Sequence, residues 1–169
     1  MNKYIFKPYE EISPVLFENE KNRLSKYLTD RYRIEHVGST AVQNLGGKGI
    51  IDMYIVVPKN KLKNVSNKLA KAGYEYRPSA STPNHLFLKI DLPDPIEETR
   101  QYHIHLGPLD SDDFKKAVAF RDYLCSHPKE AKRYAEIKKR AAKNADQDKN
   151  KYMKIKSPFM QEVLKKALE

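Results

Sequence analysis

With 169 residues, 40% of them apolar, and a single cysteine, the chain fits one domain that buries about two thirds of its unfolded surface and needs no disulfide framework. Nothing in it approaches a membrane span, and the opening Met-Asn-Lys-Tyr-Ile-Phe lacks the long apolar run of a signal peptide, so a cytoplasmic location is expected. Charge is informative by position: residues 1–114 hold 16 Lys and Arg against 15 Asp and Glu, residues 115–169 hold 16 against 7, so nearly all of the net +10 lies in the last third. A basic lobe beside a neutral one suits a polyanion, whether nucleic acid or the triphosphate of a nucleotide; a solvated lysine-rich surface has the same composition.

In chain order, residues 9–29 read as a helix with Ile12, Val15, Leu16, Leu24 and Leu28 apolar, its regular part confined by Pro14 to the residues beyond that proline. Arg33 to Val37 is short and β-prone. It stops at Gly38-Ser39-Thr40, where a hydroxyl can cap a helix running through Ala41, Val42 and Leu45 to the break at Gly46-Gly47. Ile50 to Val57 is a near-continuous apolar strand of the kind buried on both faces. Lys61 to Ala72 carries Leu62, Val65 and Leu69 at helical spacing, with Gly73 as its C-cap. An extended piece from Tyr74 to Arg77, a loop to Asn84 and the strand His85 to Ile90 come next. Asp91 to Arg100 reads as an acidic, proline-bearing loop, and Tyr102 to Leu106 as a strand.

From Ser111 the pattern is helical. Asp112 to Ser126 and Pro128 to about Ala145 are two helices, the second with proline in its first turn. A polar link, Asn144 to Asn150, leads to a final helix from about Pro158 to Leu168, and Cys125 is expected to pack within its helix rather than act as a nucleophile. The layout predicts a single α/β (α+β) domain: a mixed β-sheet flanked by helices over about 1–110 and a basic helical lobe over about 111–169.

Several residues stand out chemically. Asp52 interrupts an apolar strand, where an ionised carboxylate is costly unless a cation, a metal or hydrogen bonds compensate it; alternation puts it on the face of Ile50, Tyr54 and Val56. Gly38-Ser39-Thr40, at a strand-to-helix junction, is a place for an anion, most simply a phosphate. Together with a carboxylate that can hold a divalent metal it supplies the two parts phosphoryl or nucleotidyl transfer requires. His103 and His105 alternate along a strand and share a face, where they can bind metal, donate to phosphate or move protons. Glu35 and His36 point to opposite faces, so at most one of them meets Asp52. In the first two C-terminal helices Arg121 and Lys138 each occupy the middle of an apolar stripe, an arrangement that calls for a buried anion or for side chains that snorkel to the edge.

The run Ile-Glu-His-Val-Gly-Ser-Thr-Ala-Val (34–42), with Leu45, Lys48 and Ile-Ile-Asp (50–52), resembles the signature of the GrpB family. His103 and His105, Phe-Arg-Asp-Tyr-Leu (120–124), His127-Pro128, Tyr134 with Lys138, and Lys156 extend the resemblance over most of the chain. The family looks like a branch of the nucleotidyltransferase superfamily, in which a Gly-Ser turn holds a nucleotide triphosphate and an Asp-x-Asp or Asp-x-Glu pair holds divalent metal. The resemblance therefore implies a nucleotidyltransferase-like sheet with Gly38 and Ser39 as the turn that holds a nucleotide phosphate; Thr40, Lys48 and the two stripe cations, Arg121 and Lys138, are the further candidates for binding it. It also implies Mg²⁺ or Mn²⁺ on Asp52; the family's third acid has no matching position, and Glu35, His103, His105 and Asp91 are the candidates for further ligands. Where the second acid belongs, the chain has Tyr54, and a neutral phenol does not replace a carboxylate in a two-metal clamp.

The expected function is nucleotide binding with transfer of a nucleotidyl group to a small acceptor, Asp52, His103 and His105 being the catalytic candidates. A catalytically silent nucleotide-binding or regulatory module and a nucleic-acid-binding protein using the basic lobe are the alternatives.

Overall fold

A computed structural model describes residues 4–169; Met1 to Lys3, where the segment without a leader-like run begins, lie outside the described residues. Five strands form one mixed sheet: β1 (Arg33–Val37), β2 (Ile51–Val56), β3 (Glu75–Tyr76), β4 (Leu86–Pro93) and β5 (Thr99–Gly107). Their order is β1-β2-β5-β4-β3; β2 and β5 run parallel, and the other neighbours pair antiparallel.

Because side chains alternate along a strand, the sheet has two unlike faces. On one, Ile51, Met53, Ile55, Leu88, Tyr102, Ile104 and Leu106 meet Leu16, Phe17 and Leu24 of α1 (Ser13–Leu24) and Leu62, Val65 and Leu69 of α2 (Leu62–Lys71). Burying each aliphatic side chain there contributes about 1.5–3 kcal/mol, so this face is the main core. On the other face, strand register sets Val37, Asp52 and His103 in one row and Glu35, Tyr54 and His105 in the next. Three helices cover that polar side: α3 (Asp112–Ser126), α4 (Pro128–Asn144) and α5 (Lys149–Ala167). They share a core of Leu124, Ala131, Tyr134, Ala135, Phe159 and Val163, into which Val42 and Leu45 insert.

The expected sheet, α2 and the bounds of α3 and α4 agree closely with the structure. The differences have identifiable causes. In place of a helix over 39–45 there is one 3-10 turn, Ser39–Ala41, with Gly38 rather than a hydroxyl residue at its start. Asn44 (φ 66°) and Gly46 (φ 74°) turn the chain back, which lets Val42 and Leu45 reach the helical core.

The acidic loop shrinks to a tight turn because β4 and β5 continue their ladder to Pro93 and Thr99. Arg100, 3% exposed, ties the turn down through Asp94 (2.6 Å) and Glu10 (3.1 Å).

The last helix starts at Lys149, capped by Asp148, and runs straight through Pro158. Pro158 and Lys154 are both exposed, so the proline lies on the solvent side of the helix, where water can replace the helical donor that it removes. Cys125 is exposed instead of packed, its Sγ 3.6 Å from the Ala41 carbonyl.

Candidate functional site

The polar face of the sheet and the three C-terminal helices enclose a cavity of about 370 Å³, which lies within the range of small-ligand sites. Its floor is Asp52, His105 and the Gly38-Ser39 turn. Asp52 Oδ1 lies 3.4 Å from His103 Nδ1 and 3.7 Å from His105 Nε2. Burial alone would raise its pKa, but hydrogen bonding and charge from His103 and His105 outweigh that and hold the carboxyl well below the usual carboxylate range. Its other oxygen packs on Gly38, where a Cβ would meet Oδ2 at 2.5 Å. Gly38 sits at φ 76°, ψ −172°, a backbone region open essentially to glycine alone.

Behind the floor the imidazoles are fixed. His103 Nε2 donates to Gln101 Oε1 (2.8 Å), and His105 Nδ1 shares a hydrogen bond with His85 Nε2 (3.0 Å). Tyr54 stacks against both His85 and His105, and its hydroxyl is 3.2 Å from Ser111 Oγ, which caps α3 by accepting from Phe114 N. Position 54 is thus a packing post between sheet and lobe, 1% exposed.

The opposite wall is cationic and aromatic. Lys138 Nζ donates to the Gly46 carbonyl (3.0 Å) and lies 5.0 Å from the Tyr134 ring centroid. Lys48 and Lys156 flank Tyr152, at 5.1 and 4.7 Å from its ring centroid, and Lys116 completes the rim. Burial, reinforced by Lys156 and Lys48 and opposed by Asp52, pushes Lys138 down to about 7; burial and Lys48 push Lys156 down to about 8. The loop carrying Lys48 is braced on three sides. Gly47 pairs with the Lys7 backbone, Arg100 donates to the Gly49 carbonyl (2.8 Å), and Thr40 Oγ1 donates to the Ile50 carbonyl (2.9 Å).

These shifts have a consequence for stability. An unfolded lysine titrates near 10.4, so between about pH 7 and pH 10 the unfolded chain holds protons that folded Lys138 and Lys156 have lost. More protons on the unfolded state means that stability rises with pH. The ligand-free protein should therefore melt at a higher temperature at pH 9.5 than at pH 7 by differential scanning calorimetry; a flat or falling profile would contradict the buried lysines.

Of the residues singled out from sequence, Gly38, Ser39, Lys48, Asp52, His105 and Lys138 line the cavity, and His103 stands beside Asp52. Four, Thr40, Arg121, Glu35 and Asp91, are used otherwise. Thr40 is buried, its hydroxyl shared between Ile50 O and His36 Nε2. Arg121 donates to Glu35 Oε2 (2.7 Å) and to the His36 carbonyl (2.9 Å), so this pair is a strut joining α3 to β1 and neither residue lines the cavity. Asp91, on β4, is exposed and lies opposite Gln101 of β5, two strands from Asp52.

Lys156, noted in the sequence through the family resemblance, is a wall residue with Tyr152 as its aromatic neighbour, and Tyr134 lines the same wall beside Lys138. A direct signal for Lys156 does exist: Tyr152, Lys156, Phe159 and Val163 form a helical stripe interrupted by a cation, the same pattern that marks Lys138. No sequence signal for His85 exists apart from its strand.

A mixed sheet with a Gly-Ser turn after one strand, an inward Asp on the next and helices over that face defines a nucleotidyltransferase-like α/β protein. The crystal structure of the Cid1 poly(U) polymerase bound to MgGTP shares this fold, with a TM-score of 0.52 over 77% of this chain and 41% of that one, at 13% identity.

More specifically, the chain belongs to the GrpB protein family, whose model matches residues 4–166. The crystal structure of GrpB from Enterococcus faecalis is similar over 98% of this chain and 100% of that one, with a TM-score of 0.80 and 30% identity. Among curated relatives, the glutamate-rich protein GrpB of Alkalihalophilus pseudofirmus is 30% identical over 88% of this chain and 87% of its own length. A UPF0157 protein of Pseudomonas aeruginosa is 35% identical over 80% of this chain, which spans 55% of that relative's length. Among the described residues no helix is long and apolar enough to cross a membrane.

Proposed function

We propose that this protein binds a nucleotide through its phosphates, in the cavity between the sheet and the helical lobe. The observation that carries this reading is the convergence of Lys48, Lys138 and Lys156 with Ser39 on a cavity that contains one carboxylate. Ammonium groups gathered in a half-enclosed space repel one another, and a multiply charged anion removes that repulsion. Phe120, Tyr134, Met160 and Leu164 give the rest of the wall an aromatic and apolar character suited to a base or sugar beside the phosphates. The nucleotidyltransferase-like fold supports the same reading.

The test is thermal denaturation with nucleoside mono-, di- and triphosphates, each with and without divalent metal. Ligand at about 100 times its Kd adds about 2.7 kcal/mol, equivalent to a rise of roughly 5–10 °C for a chain of this size. Triphosphates are expected to give the largest shift. Absence of a shift with every nucleotide would sink the proposal, and salt-sensitive oligonucleotide binding alone would replace it with a nucleic-acid role for the basic lobe.

Nucleotidyl transfer to a small acceptor is a second reading, favoured by the place of Asp52 on the strand that comes after the Gly38-Ser39 turn. Pyrophosphate release with Mg²⁺ or Mn²⁺, abolished by Asp52→Ala, supports it; binding without turnover supports a regulatory module.

A further inference from the structure

The acids do not match the pair that a two-metal clamp needs. Asp52 is the sole carboxylate among the cavity-lining residues, with one oxygen toward two imidazoles and the other against Gly38. At position 54 the phenol of Tyr54 points away to Ser111, and Glu35, in the same row of the sheet, is held by Arg121. Among the described residues no three His, Cys, Asp or Glu side chains come together as a metal site.

The cations are placed the other way round. Lys48 comes from the loop before β2, Lys138 from α4 and Lys156 from α5, so three separate elements deliver ammonium groups to one space. Lys138 has a neutral carbonyl as its hydrogen-bond partner, and Lys156 has the face of Tyr152. A neutral carbonyl and a π face stabilise an ammonium group without cancelling its charge. With Lys116 at the rim, four lysines and one aspartate line the space, and a polyphosphate carrying no metal that enters it favours the protonated form of the lysines it meets.

Resting on the nucleotide-binding reading above, we infer that the cavity takes a nucleoside polyphosphate as the metal-free anion, with Lys48, Lys138 and Lys156 supplying the neutralisation that divalent cations give in a two-metal site. Mg²⁺ bound to the free nucleotide then competes with the lysines for the same phosphate oxygens. Asp52, in this arrangement, repels the ligand and serves to orient His103 and His105.

Two measurements by isothermal titration calorimetry decide this. The first compares ATP and GTP binding to the intact protein in EDTA and in excess Mg²⁺. Affinity on the order of threefold to tenfold tighter in EDTA is expected, and equal affinity in the two solutions would overturn the metal-free inference. The second uses Asp52→Asn, which keeps the shape and removes the charge: affinity in EDTA should rise by about threefold or more, whereas a metal clamp requires it to fall. Binding that appears with Mg²⁺ and vanishes in EDTA would overturn the metal-free inference while leaving nucleotide binding intact. Lack of binding in both solutions would remove both.

Discussion

Replacing Lys138 with methionine is expected to weaken binding of a nucleoside triphosphate on the order of 30- to 100-fold while leaving the ligand-free protein at least as stable as the parent. The two halves of this result come from one cause. Lys138 is 6% exposed and is held by the Gly46 carbonyl and the Tyr134 ring, while Asp52 acts on it only from beyond ion-pair distance. Keeping a charge there opposes folding, and a methionine of similar length fills the space without it. When a phosphate enters, the same ammonium group makes a charge-assisted hydrogen bond in surroundings that screen it poorly, an interaction of about 1.5–3 kcal/mol.

Lys139→Met is the control. That neighbour is exposed and paired with Glu136, and its loss should change affinity less than twofold. Calorimetric titration of both variants, with denaturation at pH 7, reads the outcome. A Lys138→Met protein that binds within threefold of the parent would show that the cavity is not the anion site. The rise of stability with pH should also flatten in this variant, since one of the two lysines responsible for it is gone.

Gly38→Ala should destabilise the protein by about 3 kcal/mol, from two sources that can be separated. The backbone there has φ 76° and ψ −172°, which costs a residue with a Cβ roughly 1–3 kcal/mol. The added methyl would also lie 2.5 Å from Asp52 Oδ2 and must push the carboxylate off its place between His103 and His105. In an Asp52→Ala background the second contribution disappears and the first stays, so the glycine substitution should cost about 1–2 kcal/mol less there, as read from urea unfolding midpoints. Equal costs in both backgrounds would mean that Gly38 is required for its backbone alone.

Legibility in the sequence depends on how local each determinant is. The bounds of α3 are legible because Ser111 caps it, Asp112 and Asp113 occupy its first turn and His127-Pro128 ends it, all within the segment itself. The buried face of β2 is legible from alternation. Pro158 misleads because a proline usually starts or breaks a helix, and its tolerance depends on which side of α5 faces solvent, a property of the assembled lobe.

Arg121 and Lys138 present the same local signal, a cation within an apolar stripe, and differ only in what lies opposite. Arg121 finds Glu35 across the α3–β1 contact, a partner 86 positions away, and Lys138 finds an open cavity. The turn at Gly38-Ser39 is legible as a motif, but the short 3-10 turn after it carries no helix dipole to hold an anion, and the cations that line the cavity come from elsewhere in the chain.

The way Tyr152 is wedged between Lys48 and Lys156 has a practical side. The chain has 11 tyrosines, 6 phenylalanines and no tryptophan, so phenols dominate its near-ultraviolet absorbance and emission. Two of them, Tyr134 and Tyr152, border the cavity with ammonium groups over their rings, and Tyr4 stacks on Tyr152 at 4.5 Å. An anion drawing those ammonium groups toward itself would change the electric field across the rings. Binding of such an anion would then be readable from the tyrosine signal itself, with no label to attach and no indole signal to obscure it.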